Sequence, residues 1–248
     1  MDILLEIFLL SLIAGMGTAL GGLVAIIKKP GNQLFGFLMG LTAGVMITLS
    51  FHELVNEAWH LSGYLVTTIS FGSGALFMFI IDFFTPHIHF AEKETHFFDS
   101  KLLRTGILIA IGISIHNLPE GIAVGAGFMH LPKFGFFIAM AIGLHNIPEG
   151  IATALPLCKG GLDKWKSFRI AVYSGLVEPI GALIAGLFLM NFKELIPASL
   201  AFAGGVMVFI TLDEIIPTAR AYGHQHSTAF GIILGAIFIF LLAGLSGV

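Results

Sequence analysis

Apolar residues run along this chain in long unbroken stretches, such as Ile107–Ile115 and Gly231–Leu245, separated by short polar turns. Strands of a membrane barrel would alternate apolar with polar positions over about ten residues. These stretches do not alternate, so they predict helices of about 20 residues, the length that crosses a bilayer. Eight are expected, at about 3–27, 34–58, 64–86, 105–129, 135–157, 168–191, 195–219 and 228–246. Turn signals separate them at Lys28-Lys29-Pro30-Gly31-Asn32, Ser62-Gly63, His130-Leu131-Pro132-Lys133 and Lys159-Gly160-Gly161. The one longer connection, 87–104, falls between the third and fourth spans.

Composition agrees with the pattern. Of 248 residues 56% are hydrophobic and 11% charged, against about 25% charged in a soluble domain. That excludes an ordinary soluble enzyme, a disordered chain and a nucleic-acid binder with a basic face. The first partner is therefore the lipid bilayer. A lone cysteine, Cys158, excludes a disulfide within the chain and a thiolate metal cage. Asp2 and Glu6 precede the first apolar stretch and Lys28 and Lys29 follow it, the reverse of a cleaved signal, so the first helix is expected to be retained. The connections after spans 1, 3, 5 and 7 hold Lys28, Lys29, Lys93, Lys101, Arg104, Lys159, Lys164, Lys166, Arg169 and Arg220, while the other side holds Lys133 and Lys193. By the positive-inside rule both termini lie outside the cytoplasm and 87–104 is a cytoplasmic loop; the expected location is the plasma (inner) membrane.

Internal repetition sharpens the picture. Residues 111–123 read IGISIHNLPEGIA, and residues 140–152, in the next helix, read MAIGLHNIPEGIA. A fainter match relates Gly44-Val45-Met46, Glu53 and Ala58 to Gly205-Val206-Met207, Glu214 and Ala219, all at one constant offset. The same offset takes Gly74-Ala75 to Gly235-Ala236. Spans 2 and 7 run in opposite directions, so the repeat is inverted, an arrangement that transporters build around a midplane site. The expected fold is all-α: a polytopic membrane bundle of eight transmembrane helices, with spans 1–3 and 6–8 related around 4–5.

The polar residues inside these spans carry the chemistry. Span 4 holds His116, Asn117 and Glu120, span 5 holds His145, Asn146 and Glu149, and span 6 holds Glu178. Each ionisable group at the centre of a span costs about 2.5–3.5 kcal/mol on insertion scales, so three carboxylates need a compensating partner. At about 1.5 Å per residue they lie about 14–16 Å deep, near the middle of a ~30 Å core. His and Glu four apart share one helical face, so His116 with Glu120 and His145 with Glu149 form two halves of a site. Asn117 and Asn146 sit about 100° round their helices and face a neighbouring position, where a second ion could draw charge from Glu149 and Glu178. Pro119 and Pro148 leave the Ile115 and Leu144 carbonyls without their helical donors, which membranes tolerate where backbone lines a cavity. Imidazole, carboxylate and amide oxygen suit Zn²⁺, Fe²⁺, Mn²⁺, Co²⁺ or Cd²⁺ better than Mg²⁺ or Ca²⁺. A single intramembrane His can equally be a hydrogen-bonded core residue and a single Glu a proton relay; the duplication at matched depth favours a metal.

These residues resemble the ZIP (Zrt-, Irt-like protein) family of divalent metal transporters, in its bacterial zinc-uptake branch. The resemblance rests on HNLPEG at 116–121, HNIPEG at 145–150 and Ser174-Gly175-Leu176-Val177-Glu178-Pro179-Ile180-Gly181. It implies a transported ion, zinc first, rather than a prosthetic group. It implies one site from His116, Glu120, His145 and Glu149 and an adjoining one from Asn117, Asn146, Glu149 and Glu178, with Glu149 bridging and Met46 as a further candidate. It also implies motion of helices 1, 4, 5 and 6 against a scaffold of 2, 3, 7 and 8, and a homodimer. The loop with His87, His89 and His96 is shorter than the His-rich loop of many relatives.

His52, Glu53, Glu57 and His60 near one mouth, and Asp82, Asp213 and Glu214 near the other, could concentrate cations or be ordinary interfacial charge. No Walker motif occurs, so a gradient or the membrane potential must drive movement. An intramembrane metalloprotease would need H-E-x-x-H and a di-metal oxidase Glu-x-x-His pairs; the central helices have neither.

Overall fold

The computed structural model describes residues 3–28, 30–84 and 100–247, and every regular element among them is helical. Helix α1 is Ile3–Lys28, α2 Asn32–Thr48 and α3 Asn56–Phe84, with a π-helical turn, Leu49–Val55, joining the last two. Then come α4 (Ser100–His130), α5 (Pro132–Lys159), α6 (Lys164–Gly175) and α7 (Val177–Asn191). After a 3₁₀ turn, α8 (Ile196–Ile210) passes through a second π-helical turn, Thr211–Ile215, into α9 (Ile216–Tyr222), and α10 is Gln225–Ser246.

Seven helical stretches among the described residues are long and apolar enough to cross a bilayer. One of them, Asn32–Phe84, is 53 residues long and takes the place of two expected spans. It is not straight. Gly63 has φ 77° and ψ 174°, a backbone region open essentially to glycine alone. The rings of Phe51 and Phe71 approach to 5.7 Å, whereas a straight helix between them would hold them about 30 Å apart. The chain therefore folds back at Gly63, inside the expected Ser62-Gly63 turn, which is reduced to a one-residue hinge.

Two other boundaries differ. The fourth helix begins at Ser100 rather than 105, and residues 87–99 of the expected loop, with His87, His89 and His96, lie outside the described residues. The sixth span begins at Lys164, because Asp163 Oδ1 caps it by accepting from the N–H groups of Trp165 and Lys166 at 3.1 Å each. That span is also broken at Leu176. Pro179 has no N–H for the Gly175 carbonyl, and this carbonyl lies so close to α1 that a Cβ at Gly15 would overlap it.

The bundle is apolar outside and polar within. Leu245 is 87% exposed and Phe84 79%, while His116, Glu120, His145, Glu149 and Glu178 are buried. Lipid gives helices no hydrophobic reason to associate, so small residues that permit close packing take over that role. Helix α1 packs on α5, α6 and α7, and α4 on α5 and α7; separately, α3 packs on α8 and α2 on α10.

These approaches recur in matched sets. A Cβ at Gly44 would overlap the Ile232 carbonyl, and one at Gly205 the Phe71 carbonyl; Gly74 faces the Phe202 carbonyl and Gly235 that of Leu41. Each set relates positions by the offset that takes Gly44 to Gly205. Around the centre, Gly121 meets the Glu178 carbonyl and Gly150 that of Thr18, while Gly181 meets Leu118 and Gly21 meets Ile147. There, α4 maps onto α5 as His116 maps onto His145, and α1 maps onto α6–α7 as Gly21 maps onto Gly181. The two π-helical turns also follow the Gly44-to-Gly205 offset, each end shifted by no more than a single position.

Candidate metal centre

Helices α4 and α5 lie side by side, and each carries His and Glu one turn apart on its inner face. His116 Nε2 lies 3.1 Å from Glu120 Oε1 on its own helix and 3.3 Å from Glu149 Oε1 on the next. His145 Nε2 lies 2.9 Å from Glu120 Oε1. One ligand atom from each of His116, Glu120 and Glu149 falls within 4.8 Å of the others, all buried. Ligands about 2.0–2.2 Å from a tetrahedral zinc ion stand roughly 3.3 Å apart. The His–Glu atoms are therefore already near the spacing that one ion would impose.

The asparagines turn to the adjoining side, as their position round the helix predicts. Asn146 Nδ2 donates to Glu178 Oε2 at 2.8 Å and to the Ala14 carbonyl at 3.2 Å. Asn117 Nδ2 donates to the Ser174 carbonyl at 2.9 Å. Asn146 thus makes two amide hydrogen bonds and Asn117 one, and both keep a buried side-chain oxygen as acceptor. Asn117 Oδ1, Asn146 Oδ1, Glu120 Oε2, both Glu149 oxygens and Glu178 Oε1 have no hydrogen-bond partner among the described residues. Buried acceptors without donors are costly in a low-dielectric interior. A cation could satisfy such a set, with His116, Glu120 and Glu149 offering ligand atoms within 4.8 Å of one another.

A family model described as ZIP Zinc transporter matches residues 86–243. The chain belongs to this family. Relatives of similar length agree along nearly the whole chain. The zinc transporter ZupT of Oceanobacillus iheyensis is 41% identical over 98% of this chain and 100% of the relative. That of Akkermansia muciniphila is 38% identical over 96% of each chain, and that of Lysinibacillus sphaericus 39% identical over 92% of this chain and 93% of the relative. ZIP proteins are multi-pass membrane transporters rather than enzymes, which removes the metalloprotease and oxidase alternatives for this ZIP chain.

The other sequence candidates make contacts of their own. Met46 is buried, and its Sδ accepts from Thr211 Oγ1 at 3.6 Å. Glu53 is buried, with its Oε1 2.9 Å from Nδ1 of exposed His52. Glu57 Oε1 lies 2.7 Å from His130 Nε2, tying α3 to the end of α4. Glu214 points toward α4: a Cβ at Gly112, one turn before His116, would come within 3.9 Å of its Oε1.

Sequence reasoning missed what α1 brings to the centre: the Ala14 carbonyl and the buried side chain of Thr18. A signal existed, since Gly15 and Gly21 recur with the same mutual spacing as Gly175 and Gly181. Glycine pairs are too common in membrane helices for that spacing to stand out.

Proposed function

We propose that this ZIP chain mediates uptake of divalent transition-metal ions into the cytoplasm, zinc first, with Fe²⁺, Mn²⁺, Co²⁺ and Cd²⁺ as further substrates. The observation that carries the reading is the buried His116–Glu120–Glu149 cluster with His145 at 2.9–3.3 Å. One ion is held by His116, Glu120, His145 and Glu149. A second is held by Asn117, Asn146, Glu149 and Glu178, with Glu149 shared. The names of the ZupT relatives support zinc as substrate.

The hairpin at Gly63 makes eight crossings of the bilayer, with both termini outside the plasma membrane and residues 87–104 in the cytoplasm. The matched approaches of α2 with α10 and α3 with α8, and of α1 with α5 and α4 with α7, support an inverted repeat about an axis between α4 and α5. The same packing supports a division of labour. Helices α1 and α4–α7 carry the ion, and α2, α3 and α8–α10 brace them. Metal enters from outside, exchanges water for the midplane ligands and leaves to the cytoplasm, down its gradient or the membrane potential. Every ligand comes from one chain, so a homodimer would serve stability or coupling rather than complete the site.

Competitive uptake into proteoliposomes tests this. Zinc flux should fall when unlabelled Fe²⁺, Mn²⁺, Co²⁺ or Cd²⁺ is added, and should vanish in Glu149→Ala. Wild-type flux in that variant would remove the proposal.

A further inference from the structure

Thr18, in the middle of α1, is completely buried, and its Oγ1 has no hydrogen-bond partner among the described residues. Among the described residues Ser50 Oγ shares that state, and Thr42 Oγ1 donates across to the His145 carbonyl at 3.4 Å. Other helical hydroxyls bond back to the preceding turn: Ser11 to the Ile7 carbonyl at 2.9 Å, Thr67 to Gly63 at 2.9 Å, Thr153 to Glu149 at 3.0 Å and Thr211 to Met207 at 2.7 Å. This is the usual refuge for Ser and Thr in a helix. For Thr18 the corresponding acceptor is the Ala14 carbonyl, which already accepts from Asn146 Nδ2. The hydroxyl is left unsatisfied where water is scarce, and an unsatisfied buried hydroxyl is costly.

Its location explains what it is for. The matched approaches pair α1 with α6–α7, Gly15 with Gly175 and Gly21 with Gly181, and Thr18 then pairs with Glu178. Gly150 packs on the Thr18 carbonyl as Gly121 packs on that of Glu178. Asn146 donates to Ala14 as Asn117 donates to Ser174. A Cβ at Gly15 would stand 3.4 Å from Glu178 Oε2, and one at Gly175 would stand 3.3 Å from Thr18 Oγ1. Glu178 flanks Asn146; the same pairing assigns Thr18 the corresponding position on the Asn117 side, near Gly175 and next to the Ser174 carbonyl that Asn117 meets, and Asn117 Oδ1 is also unpartnered among the described residues.

We propose that the Thr18 hydroxyl is an oxygen ligand of the second ion, supplied by α1 on the Asn117 side, opposite the Glu178 carboxylate. This rests on the two-ion reading above. The consequence is a site that is near-symmetric in shape but lopsided in charge, with a carboxylate on one flank and a neutral hydroxyl on the other. A neutral oxygen donor weights the second position toward oxygen-preferring ions such as Mn²⁺ over softer ones such as Cd²⁺.

The test uses the full chain in detergent, titrated separately with Mn²⁺, Zn²⁺ and Cd²⁺. Thr18→Val keeps the shape and removes the hydroxyl. It should leave the metal-free thermal midpoint unchanged or higher, and weaken one of the two binding steps about 3- to 10-fold, the size of one polar contact, most for Mn²⁺. Thr18→Ser should restore wild-type binding. Thr18→Cys offers a gain that does not depend on the valine variant: Cd²⁺ should raise a cadmium–thiolate absorption band above the wild-type background from Cys158, and Cd²⁺ should bind more tightly relative to Mn²⁺. Unchanged affinities in Thr18→Val, or no new band in folded Thr18→Cys, would overturn the assignment. A wild-type chain that binds none of the three ions would overturn the ion-site reading itself.

Discussion

His145 and Glu120 meet across two helices, with Nε2 2.9 Å from Oε1, and the mirrored pair, His116 and Glu149, stands at 3.3 Å. Each helix therefore supplies the carboxylate for the other helix's imidazole. Neither helix alone holds a site, and the pairing exists only while α4 and α5 stay in register. An ion placed between these four side chains binds the two helices to each other as much as it binds to either.

Glu120 stands within reach of both imidazoles, so its loss should be felt by both halves. Glu120→Gln keeps the volume and removes the charge. Zinc affinity should fall at least about 10- to 100-fold, the range in which even supporting groups of metal sites act, with zinc uptake reduced in parallel. Isothermal titration and proteoliposome flux check this.

Asn146 holds Glu178 in place at 2.8 Å. Asn146→Ala leaves a fully buried carboxylate oxygen without its donor, which costs on the order of 1–3 kcal/mol. The metal-free protein should melt earlier, and saturating Zn²⁺ should recover part of the loss, because a cation can neutralise what the amide no longer does. Thermal unfolding with and without Zn²⁺ reads both effects.

Gly63 has nothing within 4 Å of where a Cβ would stand, so a substitution there tests backbone conformation alone. With φ at 77° and ψ at 174°, Gly63→Ala should destabilise the fold by about 1–3 kcal/mol, read by thermal unfolding. The ion site is remote from the hinge in sequence and packing, so zinc affinity of the folded fraction should not change.

Gly121 and Gly150 face the carbonyls of Glu178 and Thr18 so closely that a methyl would overlap them. Gly121→Ala and Gly150→Ala should each force a helix aside, at a cost of about 1–3 kcal/mol for overpacking. Both should also weaken zinc binding, since the displaced segment carries Glu178 in one case and the Asn146–Ala14 bond in the other. Wild-type affinity in both variants would show that the close approach does not position the ligands.

Membrane residence, the all-helical class and the polar residues buried in the central spans were legible in the sequence, because each follows from local constraint. A bilayer demands long apolar runs, and a buried carboxylate is too costly to place there without a partner. The His and Glu four apart in each HN-x-PEG run define a shared face before any fold is known. What the sequence left open was set by contacts between distant segments. The turn at Ser62-Gly63 was legible, but that Gly63 alone reverses the chain shows only as one φ value and a ring contact between Phe51 and Phe71. The break at Leu176 needs Gly175 lying against Gly15. Which carbonyl each asparagine meets depends on α6 for Asn117 and on α1 for Asn146, segments far away along the chain. Sequence determined which groups had to find partners in the lipid; only the tertiary packing decided which partners they found, because helix approach at glycine carbonyls is a property of pairs and no single segment encodes it.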